Sequence, residues 1–325
     1  MVYNRGNRRH FDQWDYEYGC SGWNFNNILP YFLRSENQTD PNYLVDITYH
    51  NTSGPITVSS NWDQLETQLP IFKDYIRTAQ MAGYNIIDLN GNNFFISIFL
   101  NTDTIELGPT QNGVTLFQHT IKDGFKVTSS SAYLSPHKNR SNLNIVTKAY
   151  VTKILFNGLN AVGVTFTRAG MNFTVMATRE IILSAGTIGS AQLLMLSGVG
   201  PQDHLNSLGI PLITNLPVGN NLHDHTNTIL YFDVPNQDRS YDAVELTVQN
   251  IYNFYVNHAG PLTMFPNVAT YIVTNQNNDS QWPDIMTEMV RSNNHWNNIS
   301  NINQLYGVSP QAWTNYWAPY SGKLK

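Results

Sequence analysis

Charge is scarce in this sequence. Only 13% of its 325 residues are Asp, Glu, Lys or Arg, against roughly 25% in an ordinary soluble domain, and Asn, Ser and Thr carry the polar share instead. The 18 basic residues face 23 acidic ones for a formal net charge of −5. With no Lys/Arg block, the electrostatic footprint that nucleic acid or an anionic membrane requires is missing. Cysteine is nearly absent: Cys20 stands alone, so an intrachain disulfide framework is impossible and a buried, inert thiol is expected. Long apolar runs are lacking too. The stretch Phe94 to Leu100 is broken by Ser97, far short of the roughly 20 residues of a membrane span. No charged and then apolar leader follows Met1, so the chain is either cytosolic or lacks its true start.

Several chemical signatures are also absent. There is no Gly-x-Ser-x-Gly elbow, which argues against a serine α/β-hydrolase. Neither Gly-x-Gly-x-x-Gly nor a Walker-type loop occurs, and Gly198-Val199-Gly200 follows a helical pattern, where phosphate-cradling geometry fails. Ser135-Pro136-His137-Lys138 has a Ser-x-x-Lys form, but no Lys-Thr-Gly follows it, so it reads as coincidence. Six Asn-x-Ser/Thr sites, at Asn37, Asn51, Asn139, Asn172, Asn278 and Asn298, match what the composition yields by chance and alone decide nothing about compartment.

What the chain does have is apolar bulk. A hydrophobic share of 41% with 12% aromatics is enough to fold as a globular protein, and the length allows two domains. Residues 143–156 alternate apolar and polar with β-branched enrichment and predict a strand, as do 161–168 and 172–177. Turns at Asn157-Gly158-Leu159-Asn160 and Ala169-Gly170 make the three an antiparallel meander. The period then changes. Glu180 to Gly186 is a short apolar run ending in Gly, and Thr187 to Ser197 has helical spacing, with Thr187 or Ser190 as its cap and Gly198 as its stop. A strand, Gly turn and helix in this order present backbone N–H groups past a strand's carboxyl end, where nucleotides commonly bind, although such units also serve as plain scaffold.

Elsewhere the spacing predicts an amphipathic helix over 67–83 with Leu69, Phe72, Ile76 and Ala79 on one side, and a turn at Asn90-Gly91. A short helix over 203–209, extended chain from 210 to 213, and β-like runs at 228–234 and 268–274 follow. His223-Asp224-His225 is the densest ionisable cluster. On a strand the two histidines would share a face as metal ligands, but no third ligand is near, and a loop-anchoring network or a place beside an active site stay open as readings.

Four segments in order resemble the glucose-methanol-choline (GMC) family of flavin-dependent alcohol oxidoreductases, in particular its FAD glucose dehydrogenase-like branch. They are Met1-Val2-Tyr3-Asn4-Arg5-Gly6-Asn7 running on to Glu36; Asp123 to Pro136, with Lys126 where Arg is usual; Ser184 to Pro201, with Ala191 where Pro or Ser is typical; and Val218 to His225. Gly260-Pro261-Leu262-Thr263 and Trp282-Pro283-Asp284-Ile285 fit the family's substrate domain.

The resemblance implies an α/β (α+β) fold, with an FAD-binding domain carrying an antiparallel meander and a substrate domain built on an antiparallel sheet, both incomplete at the chain ends. Residues 1–36 and 121–225 would belong to the former, 37–120 and 226–325 to the latter. It places Met1 and Val2 near the isoalloxazine, the Val151 backbone at the adenine, Ala185 and Gly186 beside the nucleotide, and Asp224 and His225 next to the active site. It implies oxidation of a small alcohol or sugar, with a His base taking the hydroxyl proton, hydride passing to flavin, and oxygen or a quinone as final acceptor. Neither His258 nor His295 stands in the family's His-x-x-Gly-Thr context. The expectation is therefore a fragment without the catalytic base, inactive alone and derived from a secreted enzyme. A secreted, catalytically dead interaction protein of the same fold is the alternative.

Overall fold

The computed structural model describes residues 2–44, 47–60, 70–91, 111–228, 230, 247–263, 267–279, 281–289, 309 and 311. By contact density the chain forms two units, one of residues 1–137 with 232–325 and one of residues 138–231.

In the first unit two helices begin at asparagine caps. The Asn7 side chain accepts from the Arg9 N–H to start α1 (Arg8–Tyr16), and the Asn24 side chain accepts from the Asn27 N–H to start α2 (Phe25–Ser35). Such caps satisfy donors that the first turn leaves open. The loop between them carries Cys20, which is exposed rather than buried as its residue type suggested. Its N–H bonds the Trp14 carbonyl and its carbonyl accepts from Trp23, so the loop closes on its own backbone outside the helices. Strands β1 (Glu36–Gln38) and β2 (Ile56–Val58) pair in parallel. The predicted amphipathic helix is α3 (Pro70–Met81), and Gly83 at φ +94° ends it. Leu69 lies outside the described residues. Strand β3 (Gly113–Leu116) follows, then β4 (Ile121–Lys122) and β5 (Phe125–Lys126), joined across Asp123 and Gly124, both at positive φ.

The second unit opens with the meander β6 (Tyr150–Asn157), β7 (Asn160–Arg168) and β8 (Met171–Met176), antiparallel in that order. Its β7–β8 turn holds Ala169 at φ +50° and Gly170 at φ +76°, the geometry a two-residue hairpin loop demands. Helix α4 (Gly186–Leu196) and the short α5 (Gln202–Ser207) flank β9 (Val199–Gly200), which pairs in parallel with β10 (Thr214–Asn215).

Two expectations are corrected here. Residues 143–149 are not strand, because pairing with β7 begins only at Tyr150. Residues 180–185 form irregular chain leading into α4, because a strand exists only as a pairing and this run has no ladder partner among the described residues.

The chain returns to the first unit with α6 (Val248–Asn257), closed by His258 in the left-handed region, and then β11 (Val268–Ile272) and β12 (Ile285–Met289). The sheet β12-β11-β3 is antiparallel. Against it lies the main apolar core, in which Phe72 and Ile76 of α3 meet Tyr43, Ile86, Val114, Leu116 and Val268. Most of the predicted run 228–234 lies outside the described residues. Among the described residues no helix is long and apolar enough to cross a membrane.

Candidate functional site

In the second unit the predicted nucleotide contacts lie on two elements that pack on each other. Val151 sits on β6, an outer strand of the meander, where the register slips between Val151 and Lys153. Such a bulge turns the strand and frees backbone groups. Helix α4 packs on the same strand through Ser197, whose buried hydroxyl accepts from the Ile154 N–H at 2.8 Å and donates to the Leu193 carbonyl at 2.6 Å. Val151 and the helix thereby belong to one packed element pair.

The start of α4 is bare. Ala185 stands at the N-cap with no side-chain cap, and neither Thr187 nor Ser190 takes the expected capping role. Ser190 Oγ instead accepts from the Ala185 N–H at 3.1 Å. Residues 184–188 are exposed. Gly186 adopts φ +82°, and a Cβ there would meet nothing within 4 Å. An uncapped helix start has unsatisfied N–H groups and the positive end of the helix dipole, and an open glycine admits a ligand close to the backbone.

His223, Asp224 and His225 lie in an exposed loop rather than a strand, so the shared face that metal ligation would need is not formed. The His225 N–H donates to Asp224 Oδ1 at 2.7 Å, an arrangement local to the loop. Among the described residues no group of three or more His, Cys, Asp or Glu is placed to hold a metal ion.

The first unit holds a site that sequence reading missed. Met1 lies outside the described residues. Val2 bridges His119, and the Tyr3 N–H donates to the Gln118 carbonyl at 2.7 Å. Beneath this segment is a buried network of unusual charge content for so lightly charged a chain. Arg5 pairs with Glu36. Glu36 Oε1 lies 2.9 Å from His50 Nδ1, and His50 Nε2 lies 2.7 Å from Asp88 Oδ2. Asp88 Oδ1 accepts from Gln118 Nε2 at 2.8 Å, and Gln38 Nε2 donates to Gln118 Oε1 at 2.9 Å. Arg5, Glu36, Gln38, His50, Asp88 and Gln118 are all buried.

Burial pulls His50 toward its neutral form, but hydrogen bonds and charge from Asp88 and Glu36 outweigh it and raise its pKa to about 9. With Arg5 and His50 cationic against two carboxylates, the network is charge-neutral. Burial lowers neighbouring His119 to about 4. No spacing rule points to this cluster, since its members lie far apart in sequence.

A family model described as GMC oxidoreductase matches residues 1–227. Ecdysone oxidase of Bombyx mori is 32% identical over 276 residues, covering 84% of this chain and 38% of that protein. Mitochondrial choline dehydrogenase of Homo sapiens is 35% identical over 227 residues, 69% of this chain and 34% of that one. The glucose dehydrogenase of Drosophila melanogaster, named for FAD and quinone, is 31% identical over 242 residues, 73% and 35%. Among solved structures, an FAD-dependent oxidoreductase from Chaetomium thermophilum superposes with a TM-score of 0.65 at 26% identity, covering 83% of this chain and 46% of that chain. An Aspergillus oryzae formate oxidase variant, 23% identical with a TM-score of 0.64 over 85% of this chain and 46% of that one, shares the fold. The chain thus spans about a third to two-fifths of the length of these curated relatives. The meander and the glycine-led helix fall within the residues that the family model matches, and the chain belongs to the GMC oxidoreductase family.

Proposed function

We propose that this chain is the cofactor-holding part of an FAD-dependent oxidoreductase that acts on the CH–OH group of an alcohol or sugar, with oxygen or a quinone as acceptor. FAD, the cofactor to which the family points, supplies a two-electron sink for the hydride of the carbinol carbon when bound. The supporting observation is the bare start of α4, uncapped at Ala185 and open at Gly186, on a helix fastened to the strand that carries Val151. These features fit the nucleotide half of the cofactor. Val151, Ala185 and Gly186 would hold that half through backbone groups, and Val2 would stand by the isoalloxazine. Asp224 and His225 would stand close to the reacting centre.

The test is a titration of the chain with FAD, followed by the change in flavin absorbance. Weak, saturable binding is expected, and it should be lost in Ala185→Asp, which sets a carboxylate where the nucleotide's phosphates would approach. Binding that survives this substitution, or no saturable binding, overturns the reading. Turnover of alcohols by these 325 residues is expected to fall below detection, as no histidine stands in the family's catalytic context.

Passage through the secretory route is part of the same reading. It is supported by the exposure of the acceptor asparagines Asn139 and Asn172. Expression in secreting eukaryotic cells should give a gel shift on endoglycosidase treatment that shrinks when Asn139 and Asn172 become Gln and is lost when all six acceptor asparagines do; a single unshifted band in the parent chain would count against it.

A further inference from the structure

The buried network does more than neutralise itself, because its far end holds the chain's first residues by their backbone. Asp88 Oδ1 accepts from the Asn90 N–H at 3.0 Å, which fixes the Asn90 side chain above it. Asn90 Nδ2 donates to the Tyr3 carbonyl at 2.9 Å, and Asn90 Oδ1 accepts from the Arg5 N–H at 2.8 Å. Arg5 Nη1 adds bonds to the Tyr49 carbonyl at 2.7 Å and the Asn90 carbonyl at 3.1 Å. The main chain at Tyr3 and Arg5 is therefore clamped by one amide side chain whose own placement depends on Asp88, and Asp88 is held in turn by His50.

We propose that His50 and Asp88 are positioning residues, and that through Asn90 the proton on His50 sets the placement of the Val2–Arg5 backbone. The claim rests on the reading above only for its catalytic meaning, namely that this segment flanks the flavin. The groups facing His50 are Glu36 from β1, Asp88 from the segment before Asn90, and the Tyr43 ring at a centroid distance of 5.8 Å, with Arg5 reaching it through Glu36. Removing the imidazole proton leaves one guanidinium against two carboxylates in a site sealed from water. That imbalance favours any opening that lets solvent reach Asp88, and opening releases Asn90 and its two backbone partners.

Amide hydrogen exchange on this chain tests the proposal without any cofactor. With His50 held at about 9 and an ordinary histidine near 6.5, opening releases a proton between those values. Protection of the Tyr3 and Arg5 amides should then fall about tenfold per pH unit from about 6.5 to about 9 and level off above. Amides of α3 and β11 should show no such step. His50→Gln should remove the step; should that variant fail to fold, Asn90→Ala leaves the charges in place and should lower Tyr3 and Arg5 protection at every pH. Protection independent of pH across this window, or a loss spread evenly over the whole unit, overturns the proposal. In the intact flavoenzyme the same substitutions should shift the flavin midpoint potential. An absent potential shift beside an intact exchange step overturns the flavin-flanking reading of Val2 and leaves the positioning role supported.

Discussion

Ser197 shows how much one hydroxyl decides. It satisfies the Ile154 N–H on β6 and binds back to its own helix at Leu193, so Ser197→Ala leaves a buried donor with no partner. The expected cost is about 1–3 kcal/mol, read from the midpoint of urea unfolding. Gly198 beside it is at φ +92°, and a Cβ there would come within 2.5 Å of the Pro211 carbonyl oxygen. Gly198→Ala should therefore be worse than Ser197→Ala in the same measurement. Two histidines buried among the described residues, His50 and His119, act on the pH dependence of stability from opposite sides. The raised pKa of His50, about 9, contributes on the order of 3 kcal/mol that is fully present below about 6.5 and gone above about 9. His119, lowered to about 4, subtracts as pH falls from about 6.5, because the unfolded imidazole takes a proton that the buried one refuses. Melting temperature should peak near neutrality, and His50→Gln should flatten the alkaline side.

At the scale of elements, helix α4 makes the sharpest case. A negative charge at its start should stabilise it by about 0.3–1 kcal/mol through the helix dipole, so Ala185→Asp is expected to unfold slightly later while losing flavin. The two readouts moving in opposite directions would mark a site kept bare for a ligand. The helix itself was legible in the sequence because its stop is local chemistry at Gly198. The meander was legible too, through alternation and the turns at Gly158 and Ala169-Gly170. What failed was the extent of strands. Residues 143–149 and 180–185 have strand composition, but composition cannot supply a hydrogen-bonding neighbour. The nucleotide-side candidates Val151, Ala185 and Gly186 were named through the resemblance to the family's motifs alone. The Arg5–Glu36–His50–Asp88 network was not, because it is assembled by tertiary contacts between residues up to 83 positions apart in number, Arg5 to Asp88, and no periodicity encodes that.

For the molecule as a whole, the two units differ in how much they bury. The first has the large cluster around Phe72, Ile76 and Val268. In the second, Ile154, Leu193, Val199 and Leu205 are the buried apolar residues among those described, while Ile182 and Ile188 are 79% and 76% exposed. Lower apolar burial means a smaller margin over conformational entropy, so the unit of residues 138–231 should unfold first. The described tryptophans, Trp14, Trp23 and Trp282, all fall in the other unit, and residues 138–231 contain none. Far-ultraviolet circular dichroism should therefore begin to fall at a lower urea concentration than tryptophan fluorescence. Coincident curves would show that the two units melt as one.

The exposed Cys20 gives a practical handle on these events. As the sole thiol of the chain, set on a loop that bonds the backbone of Trp14 and Trp23, it accepts a maleimide dye at a single known point. Energy transfer to that dye from those two indoles, together with Trp282 packed on His10 of α1, would follow the surroundings of the α1–α2 corner.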